Sequence, residues 1–304
     1  SIALNEFGPN NIIYHNGGKY EISRAVLTEI ELKMETFTIS KTSGYVFIND
    51  ESKGRNEDPI NKAQLTLNNI DRRTNIVEMK DTIATASQRI SCEEEVRSRL
   101  GYQIDTYFNI TKGIESAKKI SLKNSGQELM KLYYANAANI YHINRKWKKS
   151  KERDGDGFAI GEKTGFWKRQ KDIDKATDAD PIKWVQLYTN QTSDILYIQP
   201  VTALELSYAG VISLQYALKR SIERVFQVES NEVGVYLLGD EESPNILIYE
   251  SSEGSLGILS QLAEDGSKLR EVFLDTYGLC GFDIKTKTDI DTTRPRATYD
   301  DLLS

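Results

Sequence analysis

Apolar and polar positions alternate at strand spacing through much of the N-terminal half of the chain and take up helical spacing only further on. Ile12-Ile-Tyr14 and Tyr20-Glu-Ile22 flank the turn Asn16-Gly-Gly18. That spacing predicts a β-hairpin, because Asn and Gly accept the left-handed backbone of a tight turn. Two further β-prone runs, Ala25 to Phe37 and Tyr45 to Ile48, precede a polar loop over 49–63 and a short strand from Ile76 to Met79. Ser91-Cys-Glu-Glu94 has the reciprocal Ser/Glu spacing of a helix start, and that helix should end near Gly101. Residues 102–110 and Leu129 to Tyr134 read as strands. Ala135 to Trp147, the charged stretch Lys148 to Gly157 and the run Phe158 to Trp167 read as an element, a hydrophilic loop and a returning strand.

After a polar linker at 170–181, Ile195-Leu-Tyr-Ile198 predicts a strand that stops at Pro200. Thr202-Ala-Leu-Glu205 predicts the start of the longest helix, whose apolar face is Val211, Leu214, Leu218, Ile222 and Val225. Val233 to Leu238 and Ile246 to Tyr249 form a strand pair, and Glu250 stands at its end. A turn with Gly254 and Gly257 then leads into two helical segments broken at Asp265-Gly266. The pattern predicts an α+β fold: an N-terminal β-rich region with an antiparallel sheet, then an α+β region with a long helix packed on a small sheet. The expected divisions are 1–110, 111–190 and 191–304. The chain stops at Leu302-Leu-Ser304 within an apolar pattern, as expected of a fragment of something longer.

Composition narrows the chemistry. With 39% apolar and 28% charged residues, no run near the ~20 apolar residues of a membrane span and no signal-peptide pattern, a soluble cytoplasmic protein without a membrane partner is expected. Cys92 and Cys280 have no Cys-x-x-Cys spacing, and the only histidines are His15 and His142, so no disulfide framework or local zinc site is expected. Asp154-Gly-Asp-Gly157 opens like a calcium loop but lacks its later acids. There is no phosphate-binding Gly-x-x-x-x-Gly-Lys-Ser/Thr loop, no dinucleotide fingerprint and no nucleophile elbow, so the chain should not be an enzyme on its own. His142, inside Ile140-Tyr-His-Ile143, reads as structural. Glu250 and Glu253 could work as paired carboxylates, but acids near a helix start also stabilise it by about 0.3–1 kcal/mol, the preferred reading.

The net charge of −6 is unevenly spread: 229–265 holds nine acids and no Lys or Arg, whereas 145–153 holds six basic residues and one acid, Glu152. Arg145, Lys146, Lys148, Lys149, Lys151 and Arg153 could neutralise phosphates, and Trp147 could offer a stacking face. Lys163, Lys168, Arg169 and Lys171, which flank the returning strand, would extend the patch. A solvated hairpin tip is the alternative.

Several of these runs resemble a known family. Ile246-Leu-Ile-Tyr-Glu-Ser-Ser-Glu-Gly-Ser-Leu-Gly257, behind the helix Leu214-Gln-Tyr-Ala-Leu-Lys-Arg220, resembles the MZB domain, the MrfA-type zinc-binding domain at the C-terminus of superfamily 2 helicases. In that family the strand ends in Tyr/Phe-Asp-Ser/Thr before a Pro-Gly-Gly-x-Gly turn. Here Glu250 stands for the aspartate, and the turn from Glu253 through Gly254 to Gly257 lacks the proline and one glycine. The N-terminal half resembles the large helicase of the DISARM anti-phage system in Phe7-Gly-Pro-Asn-Asn-Ile-Ile-Tyr-His15, Glu94-Glu-Val-Arg-Ser-Arg-Leu-Gly-Tyr102 and Ile143-Asn-Arg-Lys-Trp147. Gly165-Phe-Trp167 and Ala297-Thr-Tyr-Asp-Asp-Leu-Leu-Ser304 fit the same pattern. The resemblance covers nearly the whole chain.

Relatives carry a Cys-x-x-Cys-Gly-Tyr zinc ribbon where this chain has Ser40-Lys-Thr-Ser43-Gly-Tyr45, and the second cysteine pair expected near Ile60 to Ala63 is absent. Serine is a poor zinc ligand, so the resemblance implies a degenerate zinc-ribbon-like insert without a cofactor, held by packing alone. It further implies a non-catalytic accessory domain of a DNA helicase or translocase in anti-phage defence. Its partners would be DNA, a motor region in the same or a partner chain, and another defence-system subunit. A scaffold docking the motor to a partner subunit is the alternative.

Overall fold

The computed structural model describes residues 2–26, 34–89, 101–124, 126–148, 156–173, 179–201, 204, 206–251 and 256–282. The helix expected from Ser91 to Gly101 lies outside them, as do Cys92, Lys149, Lys151, Arg153, Glu253 and Gly254.

A short helix α1 (Ile2–Phe7) leads into β1 (Ile12–His15) and β2 (Gly18–Ala25), then β3 (Glu35–Ser40), β4 (Val46–Ile48), β5 (Ile70–Glu78) and β6 (Thr82–Arg89). β1 and β2 form the expected hairpin, with His15 opposite Gly18, so that Asn16 and Gly17 are the two turn residues. Both are left-handed, at φ 46° and 73°, and Asn-Gly reaches that conformation at little cost. β2 also pairs β6, giving a three-stranded antiparallel sheet.

The rest of the chain builds an α+β body around two long strands. After β7 (Tyr102–Ile110) and β8 (Lys118–Asn124) comes β9 (Gln127–Trp147), 21 residues without interruption. β10 (Phe158–Gly161) and α2 (Gln170–Ile173) precede β11 (Ile182–Pro200), 19 residues long. β9 and β11 pair antiparallel from Leu187–Asn144 to Pro200–Met130. The two expected elements, Leu129 to Tyr134 and Ala135 to Trp147, are thus one strand, and the strand expected at Ile195 to Ile198 begins thirteen residues earlier, at Ile182. The boundary expected after residue 190 falls inside β11.

One irregularity bends this ribbon. The register shifts between Ser193 and Ile195, and opposite it Ala137 is left-handed at φ 54°. Asp194 holds the bulge, accepting from the Ala137 N–H at 3.3 Å and the Tyr134 hydroxyl at 2.9 Å.

α3 (Tyr208–Phe226), β12 (Val233–Leu238), β13 (Asn245–Glu250), α4 (Ile258–Glu264) and α5 (Gly266–Leu279) complete the fold. Thr202, Ala203 and Glu205, where a helix start was expected, lie outside the described residues; α3 is capped by Ser207, whose Oγ accepts from the Gly210 N–H at 3.1 Å. Val211, Leu218 and Ile222 are buried as the periodicity predicts, with Leu214 and Val225 packed against the same cluster. On β11 and β13, Leu196, Ile198, Ile246 and Ile248 face these helices. The alternate residues Ile195, Tyr197, Leu247 and Tyr249 face a second cluster with Tyr45, Phe47 and Phe108. No helix among the described residues is long and apolar enough to cross a membrane.

The stretch that resembles a zinc ribbon keeps its two turns. In one, the Gly44 N–H donates to Ser40 O and the Ser40 N–H to Tyr45 O, with Gly44 at φ 73°. In the other, the Lys62 N–H donates to Asp58 O and the Asp58 N–H to Ala63 O, with Lys62 at φ 63°. The repeat puts Asp58 and Asn61 in the places that Ser40 and Ser43 hold in the first turn, two residues ahead of Ile60 and Ala63. The turns are joined by more than packing: Ser43 Oγ donates to Asp58 Oδ2 at 2.6 Å, and Asn61 Nδ2 to Thr42 Oγ1 at 3.0 Å. Among the described residues no cluster of three or more His, Cys, Asp or Glu side chains could hold a metal.

Candidate nucleic-acid interface

The basic residues sit where β9 ends and β10 returns. Trp147 pairs with Tyr102, Lys146 with Gln103, and the Lys148 N–H donates to Gly101 O at 2.6 Å, so β7 fixes the last residues of β9. On the other side the Gly157 N–H donates to Arg145 O at 2.6 Å, which fixes where the charged loop comes back.

Strand geometry then separates the candidates. Two nitrogens of the Arg145 guanidinium reach Asp156 Oδ2 at 2.8 Å each, and Nη1 lies 3.5 Å from Asp105 Oδ2. Lys146 is 7% exposed, with Nζ 3.7 Å from Asp156 Oδ1. The Trp147 ring stands edge-on to Phe158 at 4.8 Å in a core cluster with Tyr102 and Trp167, so that contact takes up the ring instead of leaving it open for stacking. Lys168 Nζ pairs with Asp180 Oδ2 at 2.8 Å, and Arg169 pairs with Glu21. Partial burial of Asp180 opposes its charge, but hydrogen bonds from Lys168, Thr164 and two main-chain N–H groups outweigh it and hold the carboxyl well below the usual range. Of the described members of the patch, Lys148 and Lys163 are exposed without an ion pair among the described residues. Asp156 comes from the returning end of the same loop, whereas Asp105 and Glu21 come from distant segments that the local basic run could not show.

A cleft of about 310 Å³ opens beside this strand end, between β5 and β11. Its lining includes Arg72, Arg73, Asn75, Trp184 and Gln186, none of which stood out in the sequence, together with Arg145 and Asp156. The only local signal was the charged run Asp71-Arg-Arg73. Arg73 donates from Nε to Asp71 at 2.8 Å and from Nη2 to Asp105 at 2.9 Å and Tyr107 at 2.8 Å. Burial opposes its charge, but Tyr107, Asp105 and Asp71 outweigh that and keep the guanidinium protonated. Asn75, mid-strand, is left-handed at φ 57° beside the register shift that lets β5 curve around the cleft.

The remaining candidates are structural in their surroundings. Glu250 is buried, and its carboxylate accepts the N–H groups of Gly257 and Leu259 at 3.0 and 2.8 Å, across the start of α4. Gly257, at φ 70°, is the residue that makes this turn possible. His142 is buried with Nδ1 2.9 Å from Thr106 Oγ1 and its ring against Tyr236 and Tyr249. Burial lowers its pKa to about 3. The folded protein therefore refuses a proton that the unfolded chain accepts below about pH 6.5. Stability should fall as pH drops from 6.5 towards 3, by up to about 1.4 kcal/mol per pH unit from this residue. Urea unfolding at pH 7 and 5.5 should show a loss about 1 kcal/mol larger for the parent than for His142→Gln; equal losses would refute the assignment.

No protein-family model matches the chain, and no curated protein does. Among solved structures it is similar to the DUF1998 helicase MrfA bound to DNA, at 10% identity and a TM-score of 0.39, over 99% of this chain and 30% of that one. It is also similar to the DUF1998 helicase MrfA bound to DNA and AMPPNP, at 11% identity and a TM-score of 0.29, over 93% of this chain and 25% of that one. The chain spans less than a third of the length of either structure.

Proposed function

We propose that this chain is a non-catalytic accessory region of a bacterial DNA helicase or translocase of superfamily 2, in a DISARM-like anti-phage system, and that it contributes a nucleic-acid contact. What supports the family reading is the order of the sequence motifs along nearly the whole chain, from Phe7-Gly-Pro9 to the strand and turn at Ile246–Gly257. The observation that carries the contact is the way the β9 end uses its charge. Arg145 and Lys146 are neutralised by Asp156, which clamps the two ends of the loop together. Past that clamp, Lys148 is exposed and the following sequence adds Lys149, Lys151 and Arg153 against Glu152 and Asp154. An exposed lysine at the root of a run whose sequence is net basic suits a phosphate backbone, whose binding is driven by counterion release.

In a salt titration of DNA binding, Lys148, Lys149, Lys151 and Arg153 changed together to Ala should weaken affinity at least tenfold and flatten the dependence on salt, by about 0.7–0.9 in slope for each phosphate no longer neutralised. Unchanged affinity and slope would show that the loop takes no part in binding.

A docking role is the second reading. Glu229, Asp240, Glu241, Glu242 and Glu264 are exposed, and no ion pair holds them among the described residues. Exposed acids on both sides of β12, with no cation among them in the sequence from 229 to 265, disfavour DNA and suit a basic protein partner. Capture of the motor subunit that needs no nucleic acid and is lost when these five acids become Gln or Asn would favour it.

A further inference from the structure

We infer that the cleft between β5 and β11 holds one unpaired nucleotide of a single-stranded nucleic acid, its base stacked on Trp184 and its phosphate on Arg72. The inference rests on the reading that the chain contacts nucleic acid, and it places a second, base-reading contact beside the basic loop. Three observations carry it.

First, the aromatic. Of the three tryptophans, Trp147 and Trp167 pack in the core, whereas Trp184 is 43% exposed and, among the described residues, meets no other aromatic ring. A central strand gains nothing by leaving so large an apolar face in water, and a stacking base would cover it.

Second, the inner end. Arg73 and Gln186 line the cleft at only 7% and 8% exposure, yet Arg73 Nη1 and Gln186 Oε1 have no hydrogen-bond partner in the protein. Buried polar atoms without partners are rare because each costs free energy. Here one is a donor and the other an acceptor. A nucleobase edge presents that mixture, whereas a bare phosphate or carboxylate offers acceptors only and would be repelled by Asp71 and Asp156, which also line the cleft.

Third, the charge. The Arg145 guanidinium is spent on Asp156 and Asp105, and three of the Arg73 contacts on Asp71, Asp105 and Tyr107. Arg72, exposed at the rim and without an ion pair, is the cation left to meet a phosphodiester. A space of about 310 Å³ is at the small end of ligand sites and suits one nucleotide. A base in a duplex cannot enter it, because its hydrogen-bonding edge is occupied and its faces are stacked.

The test is fluorescence anisotropy with the whole chain, a 12-nucleotide single-stranded DNA, the matching blunt duplex and dAMP as competitor. Trp184→Ala should weaken single-strand binding about tenfold and leave duplex binding unchanged, while Trp184→Phe, which keeps a ring, should retain most of the affinity. Arg72→Ala should weaken single-strand binding and lower its salt slope by about 0.7. If both variants bind single strands like the parent while the loop variant of Lys148, Lys149, Lys151 and Arg153 is weakened, the cleft is refuted and the proposed function stands. If dAMP alone displaces the oligonucleotide at the oligonucleotide's own affinity, the cleft is a free-nucleotide site and the inference is overturned. If the parent binds no DNA, both fall together.

Discussion

Changing Asp58 to alanine should cost about 4 kcal/mol of folding stability, the largest effect expected of a single substitution in this chain. The side chain is 0% exposed. Its Oδ2 accepts from Ser43 Oγ at 2.6 Å, and its Oδ1 accepts the N–H groups of Ile60 at 2.7 Å and Asn61 at 3.3 Å. Alanine would leave a hydroxyl and two main-chain donors without acceptors next to the cluster of Tyr45, Ile60 and Phe108. Buried unsatisfied groups cost about 1–3 kcal/mol each, and bonds to a charged acceptor are the stronger kind. Asp58→Asn keeps one oxygen for the main-chain donors, and its amide can donate to Ser43 Oγ, so it should cost about 1 kcal/mol. Urea midpoints at constant slope would compare the three proteins. If Asp58→Ala unfolds within about 1 kcal/mol of the parent, the clip between the turns contributes little and packing alone holds them.

This position also marks how far the sequence could be read. Ser40-Lys-Thr-Ser43-Gly-Tyr45 was legible only through the family resemblance, not through a pattern of its own. The turn that joins it starts at Asp58, inside the stretch read as a polar loop, because aspartate reads as an ordinary loop residue until Ser43 is brought 2.6 Å away. The hairpin at Asn16-Gly17 and the helix face from Val211 to Val225 were legible because a tight turn and a helical period each leave a local signature. β8 was not: it is an edge strand whose Lys118, Lys119 and Lys123 are exposed, a pattern that protects edges from mispairing while hiding the strand from a hydrophobicity reading. β11 was legible only at Ile195–Ile198, because the polar run Thr189 to Asp194 ahead of it looks like loop and is in fact ladder and bulge.

The candidate interface shows the same limit in electrostatic form. A basic run is visible as composition, but whether each cation is free depends on Asp156 at the far end of the loop and on Asp105, Asp180 and Glu21 from other segments. The cleft lined by Arg72, Trp184 and Gln186 joins residues more than a hundred positions apart, with the parallel pairing of β5 and β11 as its cause. Parallel pairs are joined by long connections, so no hairpin signal announces them.

The second large effect is expected at Glu250. Alanine there should cost about 3 kcal/mol, because α4 depends on this carboxylate for its start. The residue before the helix is Gly257, which has no side chain to accept the first N–H groups. Glu250, 1% exposed at the end of β13, supplies both oxygens instead, Oε2 to the Gly257 N–H and Oε1 to the Leu259 N–H. It also brings negative charge to the positive end of the helix. The seven residues of α4 carry Ile258, Leu259 and Leu262 into the core, so a loosened start exposes apolar surface as well. Glu250→Gln keeps one acceptor but turns an amide NH₂ towards a main-chain donor, and should recover only part of the loss. These expectations separate capping from catalysis at the strand end. A hidden nuclease would lose metal-dependent cleavage on Glu250→Ala at unchanged stability, whereas a capping carboxylate lowers the urea midpoint with no cleavage to lose. A variant as stable as the parent would refute the cap and reopen the acidic strand end as a site for chemistry.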